Sequence, residues 1–502
     1  IGSKLVNVNV NGNDIKIVRT WALSKYREQK VSASSAFIYD KNSSVQQQYN
    51  GSGQISISLK KGEKFFFTLL GAVCTGRDFI DPYNESDREV IYGAKEGLNR
   101  LMDGHRKLWN ELWEGDIMIE GDDEAQRAVR FALYNLYSNA RKGSRLSISP
   151  FGLSAQGYNG HIFWDTELWM YPPMLFMNQG IARTMMDYRT DRLEAACQRA
   201  LSYGYEGAMF PWESDDAGEE SCPTWALTGA FEHHITADIA IAAWNYYCMS
   251  GDKRWLREEG FPLMEKVAEF WVSRVEKNNE DGSYSIRNVV CADEYAEGVD
   301  DNAFTNGAAM RALQDAAKAA AVCGVKAPAI WKEIASKLRI PKFENGVTME
   351  YEGYNGQAIK QADANLLVYP LNLITRPEEI RKDLEYYEDK IDKTGPAMSF
   401  SVLALQYARL GEGDKAYELF VQSFRPNQLP PFGVISEGAG GTNPYFVTGA
   451  GGLLQTVING FCGLEVTDNG IKQLFSKLPK HWKKLTITGV GPDRKTYVRM
   501  QK

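Results

Sequence analysis

The stretch from Asn288 to Asn306, NVVCADEYAEGVDDNAFTN, concentrates side chains that can exchange protons or bind hydroxyls. Seven acids and amides occur in it without helical or strand period: Asp293, Glu294, Glu297, Asp300, Asp301, Asn302 and Asn306. Apolar Val289 and Val290 lead into the stretch, and an Ala-rich helical segment begins at Gly307. Catalytic groups commonly sit on a loop between two ordered elements. The alternative is a solvated acidic turn.

Two other loops pair an aromatic residue with an acid. Trp164-Asp165 lies in GYNGHIFWDTELWM (157–170), and Trp212-Glu213 lies in MFPWESDDAGEE (209–220). An indole can lie under the apolar C–H face of a sugar ring while the carboxylate binds hydroxyls. The composition, 12% aromatic with 12 Trp and 25 Tyr, fits such a site or a large aromatic core. The alternatives are an N-capping Asp beside a core Trp at the first pair and a solvated acidic loop at the second.

Two later segments add polar groups. Lys360 and Gln361 in IKQAD (359–363) suit hydroxyl recognition, with the first turn of a helix as the alternative. The glycine-rich stretch 429–452 contains one acid, Glu437. Its glycines let the backbone approach a ligand closely. A phosphate-binding loop at 449–452 is not favoured, because no Lys-Ser/Thr pair and no evident preceding strand accompany it. Glycoside hydrolysis by inversion needs two carboxylates, and Glu294 and Glu437 lie in two separate loops.

The periodicity of the chain predicts the elements that position these loops. Residues 1–84 alternate as strands, 85–120 form an amphipathic helical linker, 121–462 repeat helices between long loops, and 463–502 return to strands. Helices are predicted at 122–141, 165–177, 180–203, 230–250, 253–276, 303–323, 328–338, 376–389, 398–411, 413–424 and 448–459. Helix pairs alternating with long loops indicate an (α/α) toroid whose loops line a pocket, because loops this long are uncommon unless functional.

Composition excludes several classes of function. The net charge of −7 provides no basic patch for nucleic acid. No apolar run is long enough for a membrane helix. The seven cysteines and five histidines are scattered, so neither a disulfide framework, a metal site nor a cofactor is predicted. The chain opens on IGSKLVNVNV without Met, which suggests a removed leader or a fragment; a periplasmic or secreted location is expected if a leader was removed, and a cytoplasmic one otherwise.

Taken together, the motifs resemble those of glycoside hydrolase family 65 over residues 90–460. The segments that carry the resemblance are GHIFWDTELWM, FPWES, HITADIA, ADEYAEGVDDNAFTN, IKQAD and the late glycine-rich loop. The resemblance implies a mainly α protein: an N-terminal β-sandwich, incomplete here because the family's is longer, then a helical linker, an (α/α)6 barrel and a small C-terminal β domain. It also implies inverting action on α-linked disaccharides such as kojibiose, nigerose, maltose or trehalose, with water as co-substrate. A homodimer is a further expectation.

The resemblance also assigns roles. The family's acid, in its D-E-Y motif, corresponds to Glu294, and Asp293 and Glu297 are expected to keep it protonated. The glucose-binding positions correspond to Trp164, Asp165, Trp212, Glu213, Lys360 and Gln361. Phosphorylases of the family present Ser and His to phosphate near Glu437. This loop has Ser436 but no His, Lys or Arg between Asn427 and Thr448.

A carboxylate at 437 would repel phosphate and would instead activate water. The prediction is therefore an inverting α-glucoside hydrolase with Glu294 as acid and Glu437 as base. The alternatives are a phosphorylase that yields β-glucose 1-phosphate and a non-catalytic sugar-binding toroid.

Overall fold

The computed structural model describes residues 2–10, 13–23, 29–39, 44–47, 53–154 and 157–501. The chain divides into two compact units, Ile1–Trp113 and Glu114–Lys502. The first unit combines strands with two helices, and the second is mainly helical with small sheets. No helix in the described ranges has both the length and the apolar character that crossing a membrane requires.

The first unit is built on an antiparallel sheet. Its strands are β1 (Gly2–Val10), β2 (Asn13–Leu23), β3 (Lys30–Tyr39), β4 (Ser44–Gln47), β5 (Gly53–Ser56) and β6 (Phe67–Thr75). Four of them pair in the order β1-β2-β3-β6, while β4 and β5 form a separate pair. Alternation of apolar residues places Ile15, Ile17 and Ala36 on one face, where they pack against Val90. A helix therefore covers this face, and the predicted second sheet of a sandwich stays a prediction.

The predicted linker 85–120 has different bounds in the structure. Helix α1 (Pro82–Glu96) begins three residues earlier, capped by Asp81, and α2 (Leu98–Leu112) follows it. Both helices belong to the first unit. The last four residues of the segment form a strand, β7 (Ile117–Glu120), which belongs to the second unit. Four residues are too short a stretch for the period-two pattern to reveal a strand.

The second unit repeats helices with intervening loops. Its helices are α3 (Asp123–Asn139), α4 (Tyr171–Met177), α5 (Gln179–Thr190), α6 (Leu193–Ser202), α7 (Thr228–Phe231), α8 (His234–Ser250), α9 (Lys253–Trp255), α10 (Phe261–Arg274), α11 (Ala303–Cys323), α12 (Ala329–Lys337), α13 (Pro377–Tyr387), α14 (Ser399–Arg409), α15 (Gly413–Gln422) and α16 (Val447–Gln455). Single π-helical turns occupy Thr166–Met170, Leu256–Gly260 and Thr456–Phe461, and 3-10 turns occupy Gly152–Ser154, Tyr158–Gly160, Ala364–Leu367 and Arg425–Asn427. The predicted helix 180–203 is broken at Asp191–Arg192, and 230–250 is broken at Glu232–His233.

Short strands complete this unit. They are β8 (Glu276–Lys277), β9 (Tyr284–Ser285), β10 (Gln428–Leu429), β11 (Val434–Ile435), β12 (Leu464–Thr467), β13 (Gly470–Gln473), β14 (Lys484–Val490) and β15 (Lys495–Met500). The order β15-β14-β7 joins the C-terminal strands to the start of the unit, so the predicted C-terminal domain shares a sheet with residues just before α3. Asp122 strengthens this junction by capping α3 and accepting hydrogen bonds from Tyr417 and Trp482.

Candidate active site

The loop between β9 and α11 positions Glu294. Its carboxylate lies 3.0 Å from the Lys360 ammonium, and the Gln361 side-chain amide donates to its other oxygen at 3.3 Å. The Glu294 side chain is 26% exposed, so a ligand can reach it. Gln361 itself is buried and also donates to the carbonyl of Ala292, which ties the IKQAD segment to the acidic loop. The structure thus brings Lys360 and Gln361 to Glu294, which lies more than sixty positions earlier in the sequence.

Three other polar residues of this loop, Asp301, Asn302 and Asn306, stabilise its conformation. Asp301 accepts hydrogen bonds from Ser285 and from the Ile286 amide. Asn302 caps α11 by accepting from the Thr305 amide at 2.7 Å. Asn306 is buried and donates to Asp301. The solvated-turn alternative is therefore wrong for these residues, because their side chains are buried and hydrogen-bonded within the loop.

The two acids expected beside Glu294 differ in their surroundings. Asp293 is buried and accepts from the backbone amides of Lys360 (2.6 Å) and Tyr295 (3.3 Å). Burial raises the pKa of Asp293, and the charge of Glu294 adds to the rise, so these two carboxyls interact. Glu297 is exposed. That the two acids keep Glu294 protonated stays a prediction. The direct partners of the Glu294 carboxylate are a cation and an amide.

Glu437 lies in the glycine-rich loop and accepts a hydrogen bond from the Tyr158 hydroxyl at 2.9 Å. Burial raises the pKa of Glu437 above its usual value; Tyr158 and Lys360 oppose this shift, and the charge of Glu294 adds to it. The two predicted catalytic carboxyls therefore interact electrostatically, and the positive charge of Lys360 acts on both. This arrangement makes Glu437 a stronger proton acceptor than an exposed glutamate.

Tyr158 is held for this contact by its backbone and its neighbours. Its φ of 53° is unusual for a residue with a side chain. Its ring stacks on Phe151 at 5.5 Å and meets Phe163 edge-on at 5.0 Å. Desolvation raises the pKa of the Tyr158 hydroxyl, and Glu437 raises it further, so the hydroxyl keeps its proton and acts as a donor. Sequence analysis missed Tyr158, because neither its φ nor its partner 279 positions away can be read from the sequence.

Ser436 is not available as a ligand group in this structure. It is fully buried, and its hydroxyl lies 2.9 Å from the carbonyl oxygen of Asn427 and 2.7 Å from that of Gly438. The hydroxyl thus stabilises the loop that presents Glu437.

Asp165 begins a π-helical turn without capping it, since its side chain makes no cap hydrogen bond. Its carboxyl accepts from the Thr448 hydroxyl instead. Burial raises the pKa of Asp165 to about 7; the Thr448 hydrogen bond opposes the rise, and the charges of Glu437 and Glu294 contribute to it. The N-cap alternative is therefore wrong, and Asp165 lies within electrostatic reach of both proposed catalytic carboxyls. Thr448 is a second residue that sequence analysis missed.

The two tryptophans of the aromatic–acid pairs pack against each other. The rings of Trp164 and Trp212 stack at 6.0 Å with an interplanar angle of 29°, and they are 2% and 5% exposed. His234 meets the Trp164 ring edge-on at 4.8 Å. The indoles are therefore packed in an aromatic cluster and present little open surface, in contrast to the open sugar platform expected from the sequence.

Glu213 is buried and lies 2.6 Å from Nδ1 of His161. Glu220 accepts from the backbone amides of Trp212 and Glu213. The bridge between Ile162 and Ser214 joins the first two aromatic–acid loops. These contacts contradict the solvated-loop alternative for the second pair.

A buried charge network lies behind the aromatic cluster. His234 contacts Glu232 at 2.9 Å through Nε2 and Asp238 at 2.8 Å through Nδ1, and all three side chains are fully buried. Burial raises the pKa of Glu232 well above its usual value, with Glu294 adding to the shift and Lys360 opposing it. His234 and Asp238 sit four positions apart on α8, a spacing that the HITADIA segment displays.

Within the described residues, one group of side chains has ligating atoms close enough to hold a metal ion. Cys291, Glu350 and Asp363 are buried, and one ligating atom from each lies within 4.8 Å of the others. Burial raises the pKa of all three. The proposed chemistry of Glu294 and Glu437 does not involve them.

Comparison with known proteins places this geometry in context. The model of the glycosyl hydrolase family 65 central catalytic domain matches residues 130–358. A kojibiose hydrolase of Flavobacterium johnsoniae is 51% identical over 98% of this chain and 73% of its own length. A kojibiose hydrolase of Mucilaginibacter mallensis is 48% identical over 96% of this chain and 73% of its own. The solved structure titled "Putative kojibiose phosphorylase from human microbiome" shares the fold, with a TM-score of 0.76 at 17% identity over 97% of this chain and 79% of that one.

Proposed function

The chain belongs to glycoside hydrolase family 65 and is a glycoside hydrolase, and we propose that it hydrolyses α-linked glucobioses with inversion. Kojibiose is the favoured substrate, because two relatives that are 51% and 48% identical to this chain carry the name kojibiose hydrolase. Nigerose, maltose and trehalose are the other candidates. The non-catalytic toroid is no longer an alternative, since the chain is an enzyme.

In the proposed mechanism, Glu294 gives its proton to the glycosidic oxygen as the bond from that oxygen to the anomeric carbon breaks. A water molecule attacks the same carbon from the opposite face, and Glu437 removes its proton. The products are β-glucose and the released sugar. After the reaction Glu294 is ionised and Glu437 is protonated, and one proton exchange with solvent restores both.

The observation that carries this proposal is the state of Glu437. Its pKa is raised by burial, and Tyr158 holds one of its oxygens in a fixed direction. A carboxylate with a raised pKa is a better base for water than an exposed one. The charge of Lys360 lowers the pKa of Glu437, but the Lys360 ammonium forms its hydrogen bond with Glu294, at 3.0 Å.

We further propose that the nonreducing glucose is bound by the residues around these two carboxyls. Asp165 and Glu213 supply buried acceptors for hydroxyls, Lys360 and Gln361 supply donors, and Trp164 and Trp212 shape the floor. The repeated helices of the second unit support an (α/α)6 barrel as the scaffold for these loops.

A phosphorylase is the second candidate, because the solved structure with this fold is titled a kojibiose phosphorylase. Two observations favour water over phosphate. Glu437 is an acid where an anionic phosphate would have to bind, and the Ser436 hydroxyl is engaged with two backbone carbonyls. A homodimer stays a prediction.

The test is a panel of kojibiose, nigerose, maltose and trehalose assayed with and without inorganic phosphate. We expect glucose release at equal rates in both conditions, with kojibiose cleaved fastest. Formation of glucose 1-phosphate, or a rate that requires phosphate, would overturn the hydrolase proposal. Preference for another disaccharide would overturn only the choice of kojibiose.

A further inference from the structure

The segment 390–397, called here the bridging turn, follows α13 and contacts three of the five segments that carry the proposed site residues. Its first contact is with the IKQAD segment. The Ile359 amide donates to the Lys390 carbonyl at 2.9 Å, and the Asp392 amide donates to the Ile359 carbonyl at 2.8 Å. Gly395 lies so close that a Cβ there would sit 2.7 Å from the carbonyl oxygen of Lys360. The turn is therefore packed against the backbone that carries Lys360.

The second contact is with the loop of Glu437. The Ala397 amide donates to the carbonyl oxygen of Glu437 itself at 3.1 Å, and the Ala439 amide donates to the Thr394 carbonyl at 3.3 Å. A Cβ on Gly438 would lie 3.0 Å from that same Thr394 oxygen. Backbone bonds on both sides of Glu437 thus join the base loop to the turn.

The third contact reaches the acid loop through side chains. The hydroxyl of Tyr295, the residue after Glu294, donates to Asp392 Oδ2 at 2.9 Å. The other oxygen of Asp392 accepts from the Thr394 amide (2.8 Å) and hydroxyl (2.7 Å), so the carboxylate is held in one orientation. The Tyr295 ring is 58% exposed. An exposed hydrogen bond adds little to stability, so a positional role accounts better for a carboxylate fixed in this way.

We propose that Asp392 and Tyr295 are positioning residues, and that their hydrogen bond holds the loop of Glu294 at a fixed distance from the loop of Glu437. This inference rests on the proposed function, because it assumes that those two residues are the acid and the base. When the bond is lost, the acid loop keeps its contacts with the IKQAD segment through Ala292, Asp293 and Glu294. The base loop keeps its backbone hydrogen bonds to the turn. Breaking the bond should therefore shift the acid by a small distance and leave the base in place.

The test compares two substrates that depend differently on the acid. A disaccharide needs a proton on its leaving oxygen, whereas α-glucosyl fluoride releases fluoride without that proton. Tyr295→Phe removes only the hydroxyl. We expect it to lower kcat on the disaccharide about tenfold, because a small displacement of a catalytic group costs about that much in rate. The kcat on the fluoride should stay within about twofold of the wild-type value. Asp392→Ala should give the same pattern, and the double variant should be no slower than either single variant.

Two further variants separate positioning from simple structural loss. Asp392→Asn keeps the turn with Thr394 and can still bond Tyr295, so it should recover most of the activity that Asp392→Ala loses. Tyr203→Phe alters a tyrosine that is 48% exposed at the end of α6 and should behave as wild type. Wild-type turnover of the disaccharide by Tyr295→Phe, equal losses on both substrates, or additive losses in the double variant would each overturn the inference.

Glu294→Gln distinguishes failure of this inference from failure of the proposed function. It should abolish disaccharide cleavage while fluoride hydrolysis persists. If Glu294→Gln still cleaves the disaccharide, the assignment of the acid is wrong. If it behaves as expected while Tyr295→Phe is unaffected, only the positioning role is wrong.

Discussion

Two carboxyls of the second unit, Asp122 and Asp165, show opposite behaviour. Asp122 is partly buried, which raises its pKa, but the Ala125 amide and the side chains of Tyr417 and Trp482 donate to it and bring the pKa down to about 2. Asp165 is buried, and its one side-chain donor, Thr448, does not offset burial and the nearby charges of Glu437 and Glu294, so its pKa rises to about 7.

The difference separates a carboxyl that stabilises the fold from one that we propose binds the substrate. Donors around Asp122 favour the charged form, so the ion contributes to stability. The carboxyls around Asp165 are crowded and poorly solvated, which costs free energy in the absence of a ligand. Perturbed groups of this kind cluster at functional sites, where substrate hydroxyls can supply the missing hydrogen bonds.

The largest expected effect comes from removing the proposed acid or base. Glu294→Gln and Glu437→Gln should each reduce disaccharide turnover by about 10³-fold or more, because both proton transfers depend on them. Glu437→Gln should leave thermal unfolding unchanged or shift it upward, since it removes a charge that burial disfavours. Glu294→Gln should shift it slightly downward, since it leaves the Lys360 ammonium without its ion-pair partner. Steady-state kinetics and calorimetry on the same preparations make the comparison. Turnover near the wild-type rate would remove the altered residue from the mechanism.

Asp122→Ala should show the reverse pattern. Loss of the cap and of an acceptor for Trp482 and Tyr417 should destabilise the second unit by about 2 kcal/mol. The pKa of Asp122 is depressed on folding, so this contribution is present above the ordinary value of 3.8 and is lost as the pH falls towards about 2. Denaturant unfolding at pH 7 and pH 3 measures both. Activity of the folded fraction should be intact; an unchanged unfolding midpoint would contradict the structural role.

A smaller effect is expected from Tyr158→Phe. The Tyr158 hydroxyl lowers the pKa of Glu437, so its removal lets that pKa rise further. Glu437 acts as a base only when ionised, and the activity should therefore fall at a higher pH on the acidic side of the profile. The pH dependence of kcat/KM measures the shift, with Tyr203→Phe as a control. A shift to lower pH would contradict the proposed contact.

Local patterns in the sequence predicted individual elements well and their associations poorly. The helix at 303–323 is confirmed residue for residue, because Asn302 caps it and Gly324 ends it in the left-handed conformation. The break at Asp191–Arg192 was missed, since neither residue is a helix breaker. The pairing of β7 with β14 joins positions more than 360 apart, which no local pattern reveals.

The same limit applies to the site. Glu294, Glu437, Lys360 and Gln361 were found by residue type and family resemblance, and the structure adds how they are held. Tyr158 and Thr448 escaped because an ordinary tyrosine and threonine become significant only through partners on distant loops. The hydrogen-bond partners of Glu294, Lys360 and Gln361, could not be read from its sequence neighbours for a related reason, since side-chain direction in an irregular loop is set by tertiary contacts.

The central claim, single displacement by water between Glu294 and Glu437, is tested most directly by the anomer of glucose released first. Proton NMR recorded during the first minutes of kojibiose cleavage resolves the two anomers before they interconvert. Single displacement by water predicts β-glucose from the nonreducing ring, in phosphate-free buffer and at an unchanged rate when phosphate is added. Initial release of α-glucose from that ring, or accumulation of β-glucose 1-phosphate, would contradict it.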